Sequence, residues 1–114
     1  MQIGSLWKHC KRGTFYRILC HATLFQPTLS SDMDPCVVYL DGNSNQYCVY
    51  PEQLFAPSVF RGKTLHFICN ATLQCDDAKD MEECVVYKAQ ADDKVWVRPT
   101  KEFYDRFVLM EPPT

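Results

Sequence analysis

The chain repeats itself, and nothing else in it constrains the fold as much. Cys20-His21-Ala22-Thr23-Leu24 returns as Cys69-Asn70-Ala71-Thr72-Leu73, displaced by 49 positions, and Cys36-Val37-Val38-Tyr39 returns as Cys84-Val85-Val86-Tyr87, displaced by 48. Arg12-Gly13 matches Arg61-Gly62, and Val49, Pro51 and Phe55 match Val97, Pro99 and Phe103, giving thirteen identities in the same order. Self-similarity at a fixed spacing marks repeated structural units. Each unit is about 48 residues long, a size at which a lone hydrophobic core is marginal, so the two are expected to pack as one body. The expected boundaries are residues 1–57 for the first repeat and 58–114 for the second, joined by the short connection Ala56–Gly62.

Within each unit the pattern is β. Tyr16, Ile18, Cys20, Ala22 and Leu24 share one face of a two-residue period, as do Leu65, Phe67, Cys69, Ala71 and Leu73, and both sets are expected in the core. Cys36–Leu40 and Cys84–Lys88 are β-branched and aromatic, as strands prefer. Strands over 46–49 and 94–97 follow across polar turns, which predicts two hairpins. Pro51 and Pro99 then stop regular pairing, and Thr100 is placed to cap a helical turn, longer in the second copy, with Phe55 or Phe103 plugging the end of a small barrel. The fold expected is therefore mainly β: two tandem SH3-like, small-barrel units related by a pseudo-two-fold axis, each ending in a short helical turn.

The chain has 114 residues with 12 Lys and Arg against 14 Asp and Glu. That balance lacks the basic footprint of sequence-independent nucleic-acid binding. No apolar run reaches the roughly 18 residues of a membrane-spanning helix, and the first residues show no export signal, so a cytoplasmic protein away from membranes is expected. Seven cysteines then read as reduced thiols, with Cys20 and Cys69 in the core and Cys48 exposed.

Val85-Val86-Tyr87, a turn, then Trp96-Val97-Arg98-Pro99 and Phe103 resemble the ending of a small bacterial and phage family known as domain of unknown function 1653. The first repeat resembles the family's opening, with Gly4-Ser5-Leu6-Trp7-Lys8-His9 and Gly13-Thr14-Phe15-Tyr16-Arg17, and departs where Tyr47-Cys48-Val49-Tyr50-Pro51 stands in for Trp-Val-Arg-Pro. The resemblance covers nearly the whole chain as two diverged copies and implies a compact, barrel-like β module without an assigned activity.

The polar faces of the strands carry the candidate site. Alternation puts Arg17 with His21 and His66 with Asn70 opposite the core, and puts Trp96 with Arg98 on one face of the last short strand, where the first copy has Cys48 and Tyr50. An arginine fork beside an aromatic ring suits a phosphate or carboxylate ligand. The ligand-binding residues expected are thus Trp96, Arg98, His66, Asn70, Arg17, His21 and Tyr50. Their spacing matches no metal site, no cofactor is implied, and no phosphate loop, nucleophile elbow or metalloprotease helix is present. The reading is a non-catalytic binding module for a small anionic, nucleotide-derived ligand, monomeric or homodimeric. The phage resemblance extends it, by analogy, to sequestering a host immune signalling nucleotide. One alternative is a domain that docks or inhibits a host protein; another is a small hydrolase of a nucleotide ligand with His66 or His21 as base.

Overall fold

In the computed structural model the described residues are 3–25, 33–42, 44–52, 65–74 and 80–112. They form β1 (Leu6–His9), β2 (Phe15–Leu24), β3 (Pro35–Asp41), β4 (Gln46–Pro51), β5 (Leu65–Leu73), β6 (Glu82–Ala89), β7 (Val95–Pro99), the helix α1 (Thr100–Arg106) and β8 (Phe107–Glu111). The protein is mainly β. Both predicted hairpins, β3–β4 and β6–β7, are antiparallel. Their turns close alike: Asn45 (φ 56°) and Asp93 (φ 61°) take the left-handed conformation that these side chains tolerate, and donate backbone N–H groups to the carbonyls of Asp41 and Ala89. The strands run further than expected, because Pro51 and Pro99 are themselves paired, opposite Cys36 and Cys84.

The pairings join six strands into a ring, β2–β6–β7–β5–β3–β4, with β4 returning to β2. Three strands come from each half of the sequence, and the longest ladders cross between halves: β2 lies against β6 and β5 against β3. Within a half, the hairpins are joined by short parallel contacts, Thr23↔Cys48 and Leu24↔Val49 in one, Thr72↔Trp96 and Leu73↔Val97 in the other. Repeated residues hold corresponding registers throughout. Cys20↔Val86 and Ala22↔Cys84 have as counterparts Cys69↔Val38 and Ala71↔Cys36. β1 pairs with the start of β2, and β8 lies outside β1. The radius of gyration is 13.9 Å, near the about 13 Å of a folded 100-residue chain.

One predicted core face is split in two. The register of β2 on β6 slips after Ile18, so Ile18 lies opposite Tyr87 and Cys20 opposite Val86. Neighbours on a strand point to opposite faces, and Leu19 is the extra residue of a bulge. Cys20, Ala22 and Leu24 therefore join Cys36, Val38, Val49, Ala71, Leu73, Cys84, Val86 and Val97 in a core drawn from all six strands of the ring. Tyr16 and Ile18 turn to the outer face, with Val85 and Tyr87. β5 slips at the corresponding place, between Cys69 and Phe67, with Ile68 extra. Phe67, expected in the core, is instead 63% exposed.

Four of the ring's thiols belong to this interior. Cys36 and Cys84 donate their Sγ–H to the carbonyls of Ala71 and Ala22. Burial pushes the Cys20 thiol up to about 11 and Cys36 to about 12, raises Cys69, and holds Cys84 well above its ordinary value. These groups behave as small apolar fillers. Cys48, expected at the surface, is 3% exposed, because it lies opposite Tyr39 on the outer face of the β3–β4 hairpin and packs in a cluster with Tyr39 and Val37.

α1 starts directly after Pro99, with Thr100 as its first helical residue and no side-chain cap. Thr100 Oγ1 instead reaches Glu83 Oε1 at 3.5 Å, and Lys101 Nζ lies 3.1 Å from Glu82 Oε1. Both contacts tie the helix to β6. Phe103 is fully buried. It stacks on Phe107 with ring centroids 4.1 Å apart, and meets Trp7 and Tyr87 edge-on at 5.3 and 5.1 Å. The equivalent Phe55 lies outside the described residues.

Candidate functional site

Trp96 and Arg98 do share the outer face of β7, but α1, β1 and β8 cover it. Trp96 is half-buried against the aromatic cluster. Arg98 is 4% exposed. Its guanidinium donates to Gln74 Oε1 at 2.7 Å and to the Tyr87 hydroxyl at 3.3 Å, and Tyr87 in turn donates to Gln74 Oε1 at 3.2 Å. The same guanidinium carbon lies 5.9 Å from the Phe107 ring centroid. A buried charge is costly unless hydrogen-bonded, and two neutral acceptors and an aromatic face serve that need. Burial raises the pKa of Tyr87, with Arg98 pulling the other way. Arg98 is thus turned inward, contrary to the expectation that it faces a ligand. Sequence reasoning missed its partner Gln74, which stands 24 positions away.

The bulges separate the other expected pairs. Arg17 lies opposite Lys88 and His21 opposite Val85. Lys88 and Val85 point to opposite faces of β6, so Arg17 and His21 do too. Exposed Arg17 donates to the Gly4 carbonyl at 3.0 Å. His66, opposite Leu40, and Asn70, opposite Val37, are parted in the same way, and both are exposed. New neighbours result. Asn70 and Tyr50 flank Val37 on one outer face, and His21 and Arg98 flank Val85 on the other. His21 also lines a small cavity of about 150 Å³ with Thr23, Gln46, Tyr47 and Glu83.

A larger cavity, about 400 Å³, opens where the end of β1 meets the end of α1, lined by His9, Cys10, Lys11, Asp105 and Arg106. Its geometry starts with His9. The backbone turns after β1 through Gly13 at φ 73°, closed by Gly13 N–H to the His9 carbonyl and His9 N–H to the Thr14 carbonyl. Inside this turn His9 Nδ1 accepts from the backbone N–H groups of Lys11 and Arg12, at 3.2 and 3.1 Å. Nδ1 therefore carries no proton, and the imidazole is the Nε2–H tautomer. The ring packs edge-on against Phe107 at 4.9 Å.

Burial lowers the pKa of His9, and Arg12, Arg98, Arg106 and Lys11 lower it further. The neutral imidazole is a peg that shapes the turn, and of the four cations that disfavour its charged form Lys11 and Arg106 line the cavity, with Asp105 beside them. Cys10 N–H donates to the Arg106 carbonyl at 2.8 Å, tying the two walls together, and the Cys10 thiol is exposed. The arrangement suits a small anion, with Asp105 biasing the orientation of a ligand that also carries a donor. The basic run Lys8-His9-Cys10-Lys11-Arg12 was the available sequence signal.

Among the described residues no group of three or more His, Cys, Asp or Glu is placed to hold a metal ion, and no helix is long and apolar enough to cross a membrane. Comparison with models of known protein families, with curated proteins and with solved structures finds no match to this chain.

Proposed function

We propose that this protein is a non-catalytic binding module for a small anionic, nucleotide-derived ligand, held in the cavity between the β1 turn and the end of α1. The observation that carries the reading is an open cavity of about 400 Å³ whose lining brings Lys11 and Arg106 beside a neutral, backbone-anchored His9. Lysine and arginine side chains on such a wall match phosphate oxygens. Sequestration of a host signalling nucleotide by a phage protein is the extension that the family resemblance offers, and free thiols at the described cysteines agree with a cytoplasmic setting.

The same reading takes the chain as a tandem duplication. Its support is the corresponding register of repeated residues in every ladder of the ring, down to paired bulges at Leu19 and Ile68. Because the long ladders cross between halves, two small-barrel units would be interleaved in the ring rather than closed one by one.

Thermal unfolding against mono-, di- and cyclic nucleotides, nucleotide sugars and ADP-ribose derivatives tests the ligand. A ligand at 100 times its Kd adds about 2.7 kcal/mol to stability. We expect one compound class to raise Tm and the shift to vanish in Lys11→Ala/Arg106→Ala. A flat panel overturns the reading, and a shift that survives this double variant removes the site. A second reading, docking of a host protein, is favoured by Phe67 and Ile68, which are 63% and 45% exposed on β5.

A further inference from the structure

β8 has the outer position in the strand order, with β1 on its inner side. Val108, Leu109 and Met110 are 46%, 53% and 47% exposed, and successive side chains of a strand point to opposite faces, so apolar surface is presented on both. The main-chain groups at this edge can be assigned. Cys10 N–H donates to the Arg106 carbonyl, and Lys8 lies opposite Val108. Bonded and non-bonded pairs alternate along an antiparallel ladder, so Val108 turns its N–H and C=O toward β1 and Leu109 turns its own outward.

Edge strands are ordinarily protected by inward charges, lysine, proline or a bulge. From Phe107 to Leu109 the strand holds neither charge nor proline and pairs with β1 in unbroken register. The bulge comes only after Leu109, where Met110 is the extra residue between Leu109, opposite Trp7, and Glu111, opposite Leu6. The charges stand at its ends instead, Arg106 before the first residue and Glu111 as the last. This pattern is complementary to itself when reversed.

We propose that β8 pairs antiparallel with β8 of a second copy of this chain, about a two-fold axis at Leu109. Leu109 meets Leu109 of the second copy through its outward N–H and C=O. Val108 of each copy lies beside the bulged Met110 of the other, and each Arg106 end lies beside a Glu111 end. The contact is isologous and closes at two copies. It uses no side chain of the ligand cavity except Arg106, and stands independently of the ligand reading.

Sedimentation equilibrium and light scattering from micromolar to millimolar protein test the proposal. The wild type is expected at twice the 13.3 kDa chain mass. Leu109→Pro removes an N–H that β1 does not use, a substitution an edge strand tolerates, and is expected to give a monomer that still unfolds cooperatively, with a Tm that no longer depends on protein concentration. Val108→Lys/Met110→Lys is the second variant, also expected to be monomeric and folded. Glu111→Arg puts like charges at both ends and is expected to weaken the dimer several-fold, more so at low salt. A wild type that is monomeric throughout this range overturns the proposal. So does a dimer that persists in both Leu109→Pro and the double lysine variant.

Discussion

Among the described residues, the ring's two outer faces place different side chains at matching sequence positions. On one, Val85, Tyr87, Trp96 and Arg98 lie beneath α1, β1 and β8, with Ile18 1% exposed. On the other, Val37, Tyr39, Cys48 and Tyr50 stand at the matching positions, and Phe67, in the place of Ile18, is 63% exposed. The differences fall at paired positions. Gln74 and Phe25 hold equivalent places, each donating its backbone N–H to the end of its own hairpin, at Val97 and Val49. Where Gln74 offers an acceptor, β7 carries Arg98; where Phe25 offers none, β4 carries Tyr50. A buried guanidinium without an acceptor is costly, so Arg98 depends on Gln74 in a way that Tyr50 does not depend on Phe25. The comparison teaches that corresponding strand positions carry a polar network under an aromatic roof on one face and, among the described residues, a cluster of Val37, Tyr39, Cys48 and Tyr50 on the other.

The largest test of that contrast is at the bulged strands. Ile18→Ala should cost about 2–5 kcal/mol of stability, as for other buried large-to-small changes, while Phe67→Ala should stay within about 0.5 kcal/mol, as at an open surface. Urea denaturation of the two variants measures the difference, and equal losses would end the claim that Ile18 and Phe67 differ in burial. Next comes the polar network. Arg98→Leu should destabilise by about 1–3 kcal/mol by removing the two buried hydrogen bonds that the guanidinium donates, leaving Tyr87 O–H to Gln74 Oε1 as the bond that remains. Gln74→Phe/Arg98→Tyr, which copies the other face, should recover part of that loss; if the double variant is worse than the sum of its singles, the two positions are not interchangeable as pairs.

The interior is common to both faces and should give one pH response. The Cys20 and Cys36 thiols ionise at about 11 and about 12 in the folded protein, against an ordinary value of 9.0. The folded state thus binds more protons above pH 9, and stability should fall from there toward pH 12, on the order of 1 kcal/mol per pH unit for each thiol. Denaturation midpoints measured upward from about pH 8 check this, and Cys20→Ala should flatten the slope. The smallest effect belongs to the roofed face. His9 is held below 6.5, so the unfolded chain binds the extra proton and stability should decline as pH falls below 6.5 through the folded value. A stability profile flat through this window would remove His9 from the account.

The repeat, the strands and the hairpins were legible because the same β-branched and aromatic strings occur twice, with turn residues between them. The bulges at Leu19 and Ile68 were not, since an extra residue in a ladder leaves no mark in the alternation of Tyr16 to Leu24. From that single misreading follow the displaced Phe67 and the separation of Arg17 from His21 and of His66 from Asn70. Arg98 and Trp96 were correctly placed on one face, but what covers that face arrives from α1, β1 and β8, and the acceptor Gln74 comes from the end of β5. The cavity at His9 joins segments nearly a hundred positions apart, beyond the reach of any local pattern.

The crossing of ladders between halves also orders the protein's assembly during synthesis. β1 can pair with β2, and β3 with β4, as soon as the first half has been made. β5 can then join β3. The long edge of β2, however, waits for β6, which begins only at Glu82. Non-local strand pairing is slow to form, and unpaired edges invite wrong partners. A ribosome paused midway would therefore display a nascent chain with one finished hairpin at each end of an open, ten-residue strand, and the speed of translation through β6 and β7 would decide how long that edge stays exposed.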